Sequence, residues 1–459
     1  MENETFDRTS IVNAPATALG AWHHRKGAFR RLVPPWVKFK FVDEPDELKD
    51  GTRSIIKTRL APFVWSTWVA ELKNVKPDGD FTDTQIKGPF AEWTHRHRFI
   101  EQGAEKSQLN DSIEYRVPLG PIGKFFGGWY VRSQLDQLFR YRHAITTTDL
   151  QRQHENPVEP MRVLISGASG LVGSALTAFL EINGHEVIAL TRNPRAGSKD
   201  IRWDIKAGEI DLTDAGKIDA VVHLAGENVA GLWTKKKKAR ILESRRDGTR
   251  LLSEAIARLP EKPAVMLSAS GVNYYELDAL NTHDEDSPIG TSFLSEVCRA
   301  WEDNTRAARE ADIRVVNLRI GFVLTPGGGG LKLMLPAFKA GVGGKIGSGK
   351  QRLSWIAIDD LTDIIHTCLS DDRYKGPVNA VAPEPATNKE FTKALGKVLK
   401  RPTILPVPAF AMKTALGDFA RETLLGDLPV YPERLKENGY KFRLGDLHSA
   451  LSHLLGKEP

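Results

Sequence analysis

Three glycines at three-residue spacing carry the clearest chemical signature in this sequence. Gly167, Gly170 and Gly173 follow the short apolar run Val163 to Ile165, and a helical apolar pattern begins after them. A buried strand, a glycine turn and a helix are the opening parts of a mononucleotide-binding unit. The first glycine permits the tight turn, the second lets the backbone approach a pyrophosphate, and the third lets the helix pack on the strand. The N–H groups at the helix start then favour phosphate.

Strands and helices continue to alternate after this loop. Apolar runs at His185 to Leu190 and Ala220 to Leu224 are predicted strands, and the second ends in Ala225 and Gly226. This alternation predicts a doubly wound parallel sheet, whose ligands bind at the carboxyl ends of its strands. The residues that we expect to contact a dinucleotide are Gly167, Ser169, Gly170, Leu171, Val172, Gly173, Leu224, Ala225, Gly226, Glu227 and Ser268.

The residue after the second strand of this unit predicts which dinucleotide binds. An acidic residue there would accept hydrogen bonds from the ribose 2′-hydroxyl of NAD. This chain has Arg192 instead, with Arg195 close behind it. Because a guanidinium pairs well with phosphate, we predict NADP(H) as the cofactor and Arg192 as its 2′-phosphate contact.

Composition places the chain among ordinary globular proteins of more than one domain. It has 459 residues, of which 41% are hydrophobic and 27% charged, with a net charge of +6 and two cysteines. No apolar run reaches the length of a membrane helix, and the acidic amino terminus lacks a signal core, so we expect a cytoplasmic protein without a membrane span. The basic stretch from Lys235 to Arg250 fits a solvated helix face or an anionic partner. Nucleic acid is not expected, because no series of base-stacking aromatics accompanies it.

The first 150 residues lack the alternating strand–helix pattern. Trp129 to Thr146 has the apolar spacing of a helix, which predicts one curved antiparallel sheet around a long helix. The predicted strands are Phe6 to Val12, Val37 to Val42, Thr52 to Leu60, Phe63 to Val75, Phe81 to Lys87, His95 to Glu101 and Gln108 to Val117.

This half resembles the START-like helix-grip superfamily, also called SRPBCC or cyclase/dehydrase-like. The resemblance rests on Trp22 to Trp36, Trp93 to Phe99 and Phe139 to His143. It implies an apolar pocket and a hydrophobic small-molecule ligand, whereas the simpler interpretation is that these aromatics fill a core. We expect no metal at the histidines of these segments, because no carboxylate or cysteine set completes a site.

Four regions are therefore expected. Residues 1–150 form the helix-grip domain, and residues 151–160, which are polar and contain two prolines, form a linker. Residues 161–403 form the Rossmann domain, and residues 404–459 form a small helical region. The fold class is thus an α+β domain followed by an α/β domain.

The second half resembles the extended short-chain dehydrogenase/reductase superfamily. More narrowly, it resembles the "epimerase family" or cell-division-inhibitor-like group, whose own carboxyl-terminal region the tail from Leu405 to Leu454 also resembles. The resemblance implies a small-molecule substrate and a homodimer. It rests on the glycine loop and on the segments His223 to Glu227, Ser268 to Tyr275, Trp301-Glu302, Leu318 to Gly321 and Gln351 to Asp360.

The sequence departs from that superfamily at the catalytic pair. Its enzymes use a Tyr-x-x-x-Lys pair with an upstream serine or threonine, the tyrosine acting as general acid or base. Ser270 matches the upstream serine, but Phe293 to Val297 stands where the tyrosine belongs and contains neither tyrosine nor lysine. The remaining candidates for catalysis are Ser270, Tyr274, Tyr275, Glu296 and Glu302.

Three functions stay open at this point. The chain is an NADP(H)-dependent oxidoreductase with an altered site, a non-catalytic NADP(H)-binding sensor or scaffold, or a nucleotide-sugar epimerase or dehydratase. The missing pair weighs most against the third, because that chemistry needs a strong base.

Overall fold

The structure is a computed structural model that describes residues 3–43, 47–61, 64–118, 120–277 and 280–458. The chain forms two compact units. The first holds residues up to Glu159 together with Ala178–Gly184, and the second holds Pro160–Thr177 and the chain from His185 onward. Among the described residues, no helix combines the length and the apolar character that crossing a membrane requires.

One antiparallel sheet and three helices build the first unit. Side chains of its central strands alternate between buried and accessible, so one face of the sheet is covered. In chain order its elements are β1 (Glu4–Val12), α1 (Ala16–His24), α2 (Ala28–Leu32), β2 (Phe39–Asp43), β3 (Arg53–Ala61), β4 (Val64–Lys73), β5 (Phe81–Lys87), β6 (Glu92–Gly103), β7 (Lys106–Arg116) and α3 (Gly120–Glu155). The strand order in the sheet is β1-β7-β6-β5-β4-β3-β2.

The seven predicted strands of this unit are confirmed, with ends that differ by a few residues. Phe63, the first residue of the predicted fourth strand, lies outside the described residues. The predicted helix is extended at both ends, since α3 runs over Gly120–Glu155. The first half of the predicted linker is therefore helical. Its glutamine, arginine and glutamate side chains are good helix formers, and the first proline that stops the helix is Pro157.

The second unit alternates strands and helices, as predicted. Its elements are β8 (Arg162–Ser166), α4 (Leu171–Ile182), β9 (Glu186–Thr191), β10 (Ile201–Asp204), β11 (Glu209–Ile210), β12 (Ala220–His223), α5 (Lys235–Ala257), β13 (Val265–Gly271), α6 (Phe293–Asp303), α7 (Arg306–Glu310), β14 (Arg314–Ile320), β15 (Phe322–Leu324), α8 (Gly329–Lys339), β16 (Arg352–Leu353), β17 (Trp355–Ala357), α9 (Ile358–Ser370), β18 (Gly376–Ala380), β19 (Ala386–Thr387), α10 (Asn388–Leu399), α11 (Ala409–Leu416), α12 (Glu433–Glu437) and α13 (Leu447–Leu454).

Eight of these strands form the main sheet, in the order β11-β10-β9-β8-β12-β13-β14-β18. All neighbours are parallel except β10 and β11. The central strands β8, β12 and β13 are almost wholly buried, as expected for a parallel sheet covered on both faces. The parallel-sheet prediction is confirmed, and the tail after residue 404 is helical as predicted. The carboxyl ends of β8, β9, β12 and β13 bring the predicted site residues to one edge.

Candidate functional site

The glycine loop between β8 and α4 has the backbone geometry that its spacing predicts. Gly167 has a φ of +77°, and a Cβ there would lie 3.0 Å from the backbone nitrogen of Ala225. A Cβ on Gly173 would lie only 2.1 Å from the carbonyl oxygen of Gly167. The protein's own backbone therefore requires glycine at both positions.

Gly170 differs from its two neighbours in the motif. Of the atoms that the structure describes, a Cβ there would meet only the Gly167 carbonyl oxygen, at 3.1 Å, and the residue is exposed. Ser169 and Leu171 beside it are also exposed, and Val172 is half-buried. The exposed backbone of this loop thus stands at the start of α4, where N–H groups favour an anion.

The loop after β12 is hydrogen-bonded to the glycine loop. The Leu224 N–H donates to the carbonyl oxygen of Ser166 at 3.0 Å, and the Ser166 hydroxyl lies 2.6 Å from His223 Nδ1. Burial, together with the charge of Arg245, lowers the pKa of His223 to about 3. The imidazole is therefore neutral, so it orders the two loops without adding charge.

The remaining residues of this second loop line the same edge. Ala225 is half-buried and Gly226 is exposed. Glu227 is held in place by Lys237, whose ammonium lies 2.8 Å from its carboxylate. Ser268 is buried within β13, so its side chain is not part of the exposed surface of the two loops.

The two arginines after β9 differ in their partners. Arg195 is ion-paired with Asp200 at 3.0 Å. Arg192 is exposed, and within the described residues its side chain makes no hydrogen bond or ion pair. Arg202 on β10 pairs in register with Thr191 and is also exposed. Sequence reasoning missed Arg202, because nothing in so short a strand reveals that it lies beside β9.

Three of the predicted catalytic residues meet in one buried network. The Ser270 hydroxyl donates to Glu302 Oε1 at 2.8 Å, and Arg319 donates to both carboxylate oxygens of Glu302 at 2.9 Å. Arg319 also donates to the Tyr275 hydroxyl at 2.8 Å, and that hydroxyl donates to Asn379 at 2.7 Å. Burial raises the pKa of Tyr275, although Arg319 opposes the shift. This tyrosine is thus a neutral hydrogen-bonding group at physiological pH.

Two predicted catalytic residues lie outside that network. Tyr274 is half-buried and its ring stacks on Arg319, whose guanidinium carbon lies 3.5 Å from the ring centre. Within the described residues the Tyr274 hydroxyl makes no hydrogen bond. Glu296 is exposed on α6, away from the buried face of that helix that carries Glu302. The network therefore gathers Ser270, Tyr275 and Glu302, places Tyr274 against it, and leaves Glu296 aside.

The helix α6 itself lacks the superfamily's catalytic pair. Its buried residues, including Leu294, Ser295 and Cys298, contain neither tyrosine nor lysine. Burial raises the pKa of the Cys298 thiol to about 11, so this cysteine is protonated and does not replace the missing base.

Fold and loops together define a dinucleotide-binding protein of the Rossmann type. A sequence profile of the NAD dependent epimerase/dehydratase family matches residues 163–380, and a domain of unknown function, DUF1731, matches residues 407–454. The epimerase family protein Mb2239 of Mycobacterium bovis is 39% identical over 292 residues, which are 63% of this chain and 96% of that protein. The chain therefore belongs to the epimerase family that includes Mb2239.

Two solved structures extend the comparison. The nucleoside-diphosphate sugar epimerase of Corynebacterium glutamicum is 32% identical, with a TM-score of 0.80, and the match covers 98% of this chain and 90% of that one. Human epimerase family protein SDR39U1, solved with NADPH, is 36% identical, with a TM-score of 0.59, over 64% of this chain and 99% of that one. The similarity to the bacterial protein thus includes the first unit.

Proposed function

We propose that this protein is an NADP(H)-dependent oxidoreductase acting on a small molecule. The observation that carries the proposal is Arg192 at the carboxyl end of β9, which is exposed and has no hydrogen-bond or ion-pair partner among the described residues. The NADPH bound to SDR39U1 supports the same choice of cofactor. NADP(H) would supply hydride chemistry, and the chain would bind its phosphates through the loop from Gly167 to Gly173.

Arg192 is expected to set the preference for the phosphorylated cofactor. Changing Arg192→Asp replaces a phosphate partner with a repelling carboxylate, so NADPH affinity falls, while NADH affinity holds or rises. A hydrogen bond to a charged group contributes about 1.5–3 kcal/mol, so a loss of about 10-fold to 150-fold is expected. Fluorescence titration of both nucleotides measures the change.

The matched control is Arg195→Asp, since Arg195 already has Asp200 as partner. It should change NADPH affinity much less. If Arg192→Asp left the ratio of NADPH to NADH affinity unchanged, the proposed 2′-phosphate contact would be wrong.

We infer that Tyr274 is the best-placed candidate for the proton donor. Tyr274 is half-buried and its hydroxyl has no hydrogen-bond partner in the described chain, whereas Tyr275 is fully buried and its hydroxyl is bonded on both sides. The cation of Arg319 under its ring would stabilise negative charge developing on the phenol oxygen. Ser270, Glu302 and Tyr275 would then act by holding Arg319 in place.

Tyr274→Phe tests this role without removing the ring. The readout is NADPH oxidation with a panel of carbonyl and enone compounds, using the first compound that supports turnover. Loss of a general acid lowers kcat by about 10²-fold to 10⁴-fold. NADPH affinity should stay the same. An unchanged kcat in Tyr274→Phe would show that Tyr274 is not the proton donor.

Two other functions remain as proposals with their own support. A nucleotide-sugar epimerase is favoured by the name of the Corynebacterium relative, and the lack of a tyrosine–lysine pair on α6 weighs against it. A non-catalytic NADP(H) sensor agrees with the closed network around Arg319. Oxidation of NADPH by any compound in the panel would exclude the sensor, and interconversion of a nucleoside-diphosphate sugar without net NADPH oxidation would favour the epimerase.

For the first unit we propose a START-like helix-grip domain with an apolar ligand. The order of its seven strands, the two short helices after β1 and the long α3 support this fold. Partly buried Trp68 and Phe90 pack against a buried cluster that includes Trp93 and Phe139, which offers an aromatic wall to an apolar molecule. An environment-sensitive apolar dye should bind and be displaced by long-chain aliphatic or aromatic compounds. If the dye does not bind, these aromatic residues serve only as core residues and the proposed apolar ligand site is wrong.

A further inference from the structure

A cluster of imidazoles and carboxylates lies on one face of the sheet in the first unit. His95 and His97 are two residues apart on β6, so both side chains point to the same face. Asp83 on β5 is the register partner of His95, and Asp111 on β7 is the register partner of His97. The sheet topology thus surrounds two histidines with two carboxylates that are distant in sequence. The expectation that no carboxylate set accompanies these histidines is wrong.

Three donor atoms converge within this cluster. Asp83 Oδ2 lies 3.0 Å from His95 Nδ1 and 3.3 Å from His97 Nε2. All three ligand atoms lie within 4.8 Å of one another. Tetrahedral ligands at about 2.0–2.2 Å from a zinc ion lie roughly 3.3–3.6 Å apart, close to the two distances from Asp83 Oδ2. We propose that Asp83, His95 and His97 bind one divalent transition-metal ion, a site separate from the proposed cofactor-binding function.

The opposite ring nitrogens of both histidines face one carboxylate. Asp111 Oδ1 lies 2.9 Å from His95 Nε2 and 2.8 Å from His97 Nδ1. Metal-binding histidines usually direct their second nitrogen to a carboxylate or carbonyl, which orients the ring. His97 Nδ1 is buried, and among the described residues it makes no hydrogen bond of good geometry despite that short distance. Asp111 therefore faces both imidazoles from the side opposite the proposed ion.

Further contacts hold the two carboxylates in place. The Trp93 indole N–H donates to Asp83 Oδ1 at 3.3 Å, which leaves Oδ2 directed at the two imidazoles. His143 on α3 contacts Asp111 Oδ2 at 2.8 Å, and its other nitrogen lies 2.9 Å from the Ser10 hydroxyl. Asp83 is thus oriented by Trp93, and both histidines face Asp111, which is itself held by His143.

The donor set indicates the class of ion. Two imidazoles and one carboxylate suit zinc, iron(II) and related first-row ions rather than calcium or magnesium. Three protein ligands leave a coordination position for water or another ligand. Asp83 has the most exposed side chain of the three, at 21% against 3% for His95 and 10% for His97. We therefore expect the additional ligand to enter on the Asp83 side.

Metal titration of the full-length protein tests the site. After treatment with a chelator and removal of the chelator, the protein is titrated calorimetrically with Zn²⁺, and separately with Co²⁺ while visible d–d absorption is followed. We expect one ion per chain, and Co²⁺ should show the d–d absorption bands of a site with nitrogen and oxygen ligands. His95→Ala and His97→Ala should abolish binding, and Asp111→Asn should weaken it by about 10-fold to 100-fold, as for second-sphere carboxylates.

The exposed His154 near the end of α3 supplies the control. His154→Ala should bind metal as the wild type does. Because the histidine variants could fail to fold, the melting temperature of the wild type is measured with and without Zn²⁺, and it should rise in the presence of metal. A folded wild-type protein that binds neither ion, or histidine variants that keep wild-type affinity, would overturn the proposal.

Discussion

Changing Gly170→Val should remove NADPH binding and leave the fold intact. Among the described residues the Cβ at this position would meet only the Gly167 carbonyl oxygen, at 3.1 Å, a far milder contact than the 2.1 Å that a Cβ on Gly173 would make. A pyrophosphate at the start of α4 would lie against that same backbone and would be displaced. We expect NADPH affinity to fall by at least about 100-fold, which corresponds to about 2.7 kcal/mol.

Two other glycines make this result interpretable. Gly173→Ala places its Cβ 2.1 Å from the Gly167 carbonyl oxygen, so it should destabilise the protein itself. Gly127→Val, in the first unit and with no atom of the described residues within 4 Å of its Cβ, should leave NADPH binding unchanged and affect stability less than Gly173→Ala. Affinity is measured by nucleotide fluorescence and folding by thermal unfolding. Wild-type affinity in Gly170→Val would contradict the assignment of this loop to the pyrophosphate.

Arg319→Met should be among the most destabilising single changes in the second unit. Arg319 is buried, pairs with both oxygens of Glu302 and holds the Tyr275 hydroxyl. Its removal leaves Glu302 buried without its counter-charge. Breaking a buried ion pair from one side costs about 3–5 kcal/mol. The urea midpoint of unfolding, followed by circular dichroism, should fall accordingly.

A surface pair gives the scale for this effect. Arg306 is exposed and pairs with Glu310 one helical turn away. Arg306→Met should change the free energy of unfolding very little, because exposed ion pairs are screened by solvent. The double change Glu302→Leu with Arg319→Met should recover part of the loss, because it removes both buried charges. An Arg319→Met protein as stable as Arg306→Met would show that the network contributes little to stability.

The fold was largely predictable because its signals are local. Alternating apolar residues marked the strands of the first unit, and short apolar runs marked the buried strands of the second. The extent of α3 was missed because its last residues, such as Gln151 and Arg152, are polar in both helices and linkers. Only a proline marks where such a helix ends.

The geometry of the glycine loop was predictable for the same reason, since Gly167 and Gly173 are required by backbone geometry at fixed distances from a strand. The role of Arg192 toward a 2′-phosphate stays a prediction. The arrangement of the buried residues of the site could not be predicted from the sequence. The network of Ser270, Glu302 and Arg319 joins β13, α6 and β14, and no spacing in the sequence reveals that these side chains meet. The cluster around His95 was hidden likewise, because Asp83 and Asp111 approach it only through strand pairing.

Calorimetric titration of the full-length protein with NADPH, and separately with NADH, measures whether the glycine loop and Arg192 bind NADP(H). We expect NADPH to bind at one site per chain and at least about tenfold more tightly than NADH, a difference of about 1.4 kcal/mol. Equal affinity for the two nucleotides would contradict the role of Arg192. Binding of neither nucleotide would contradict the cofactor assignment as a whole.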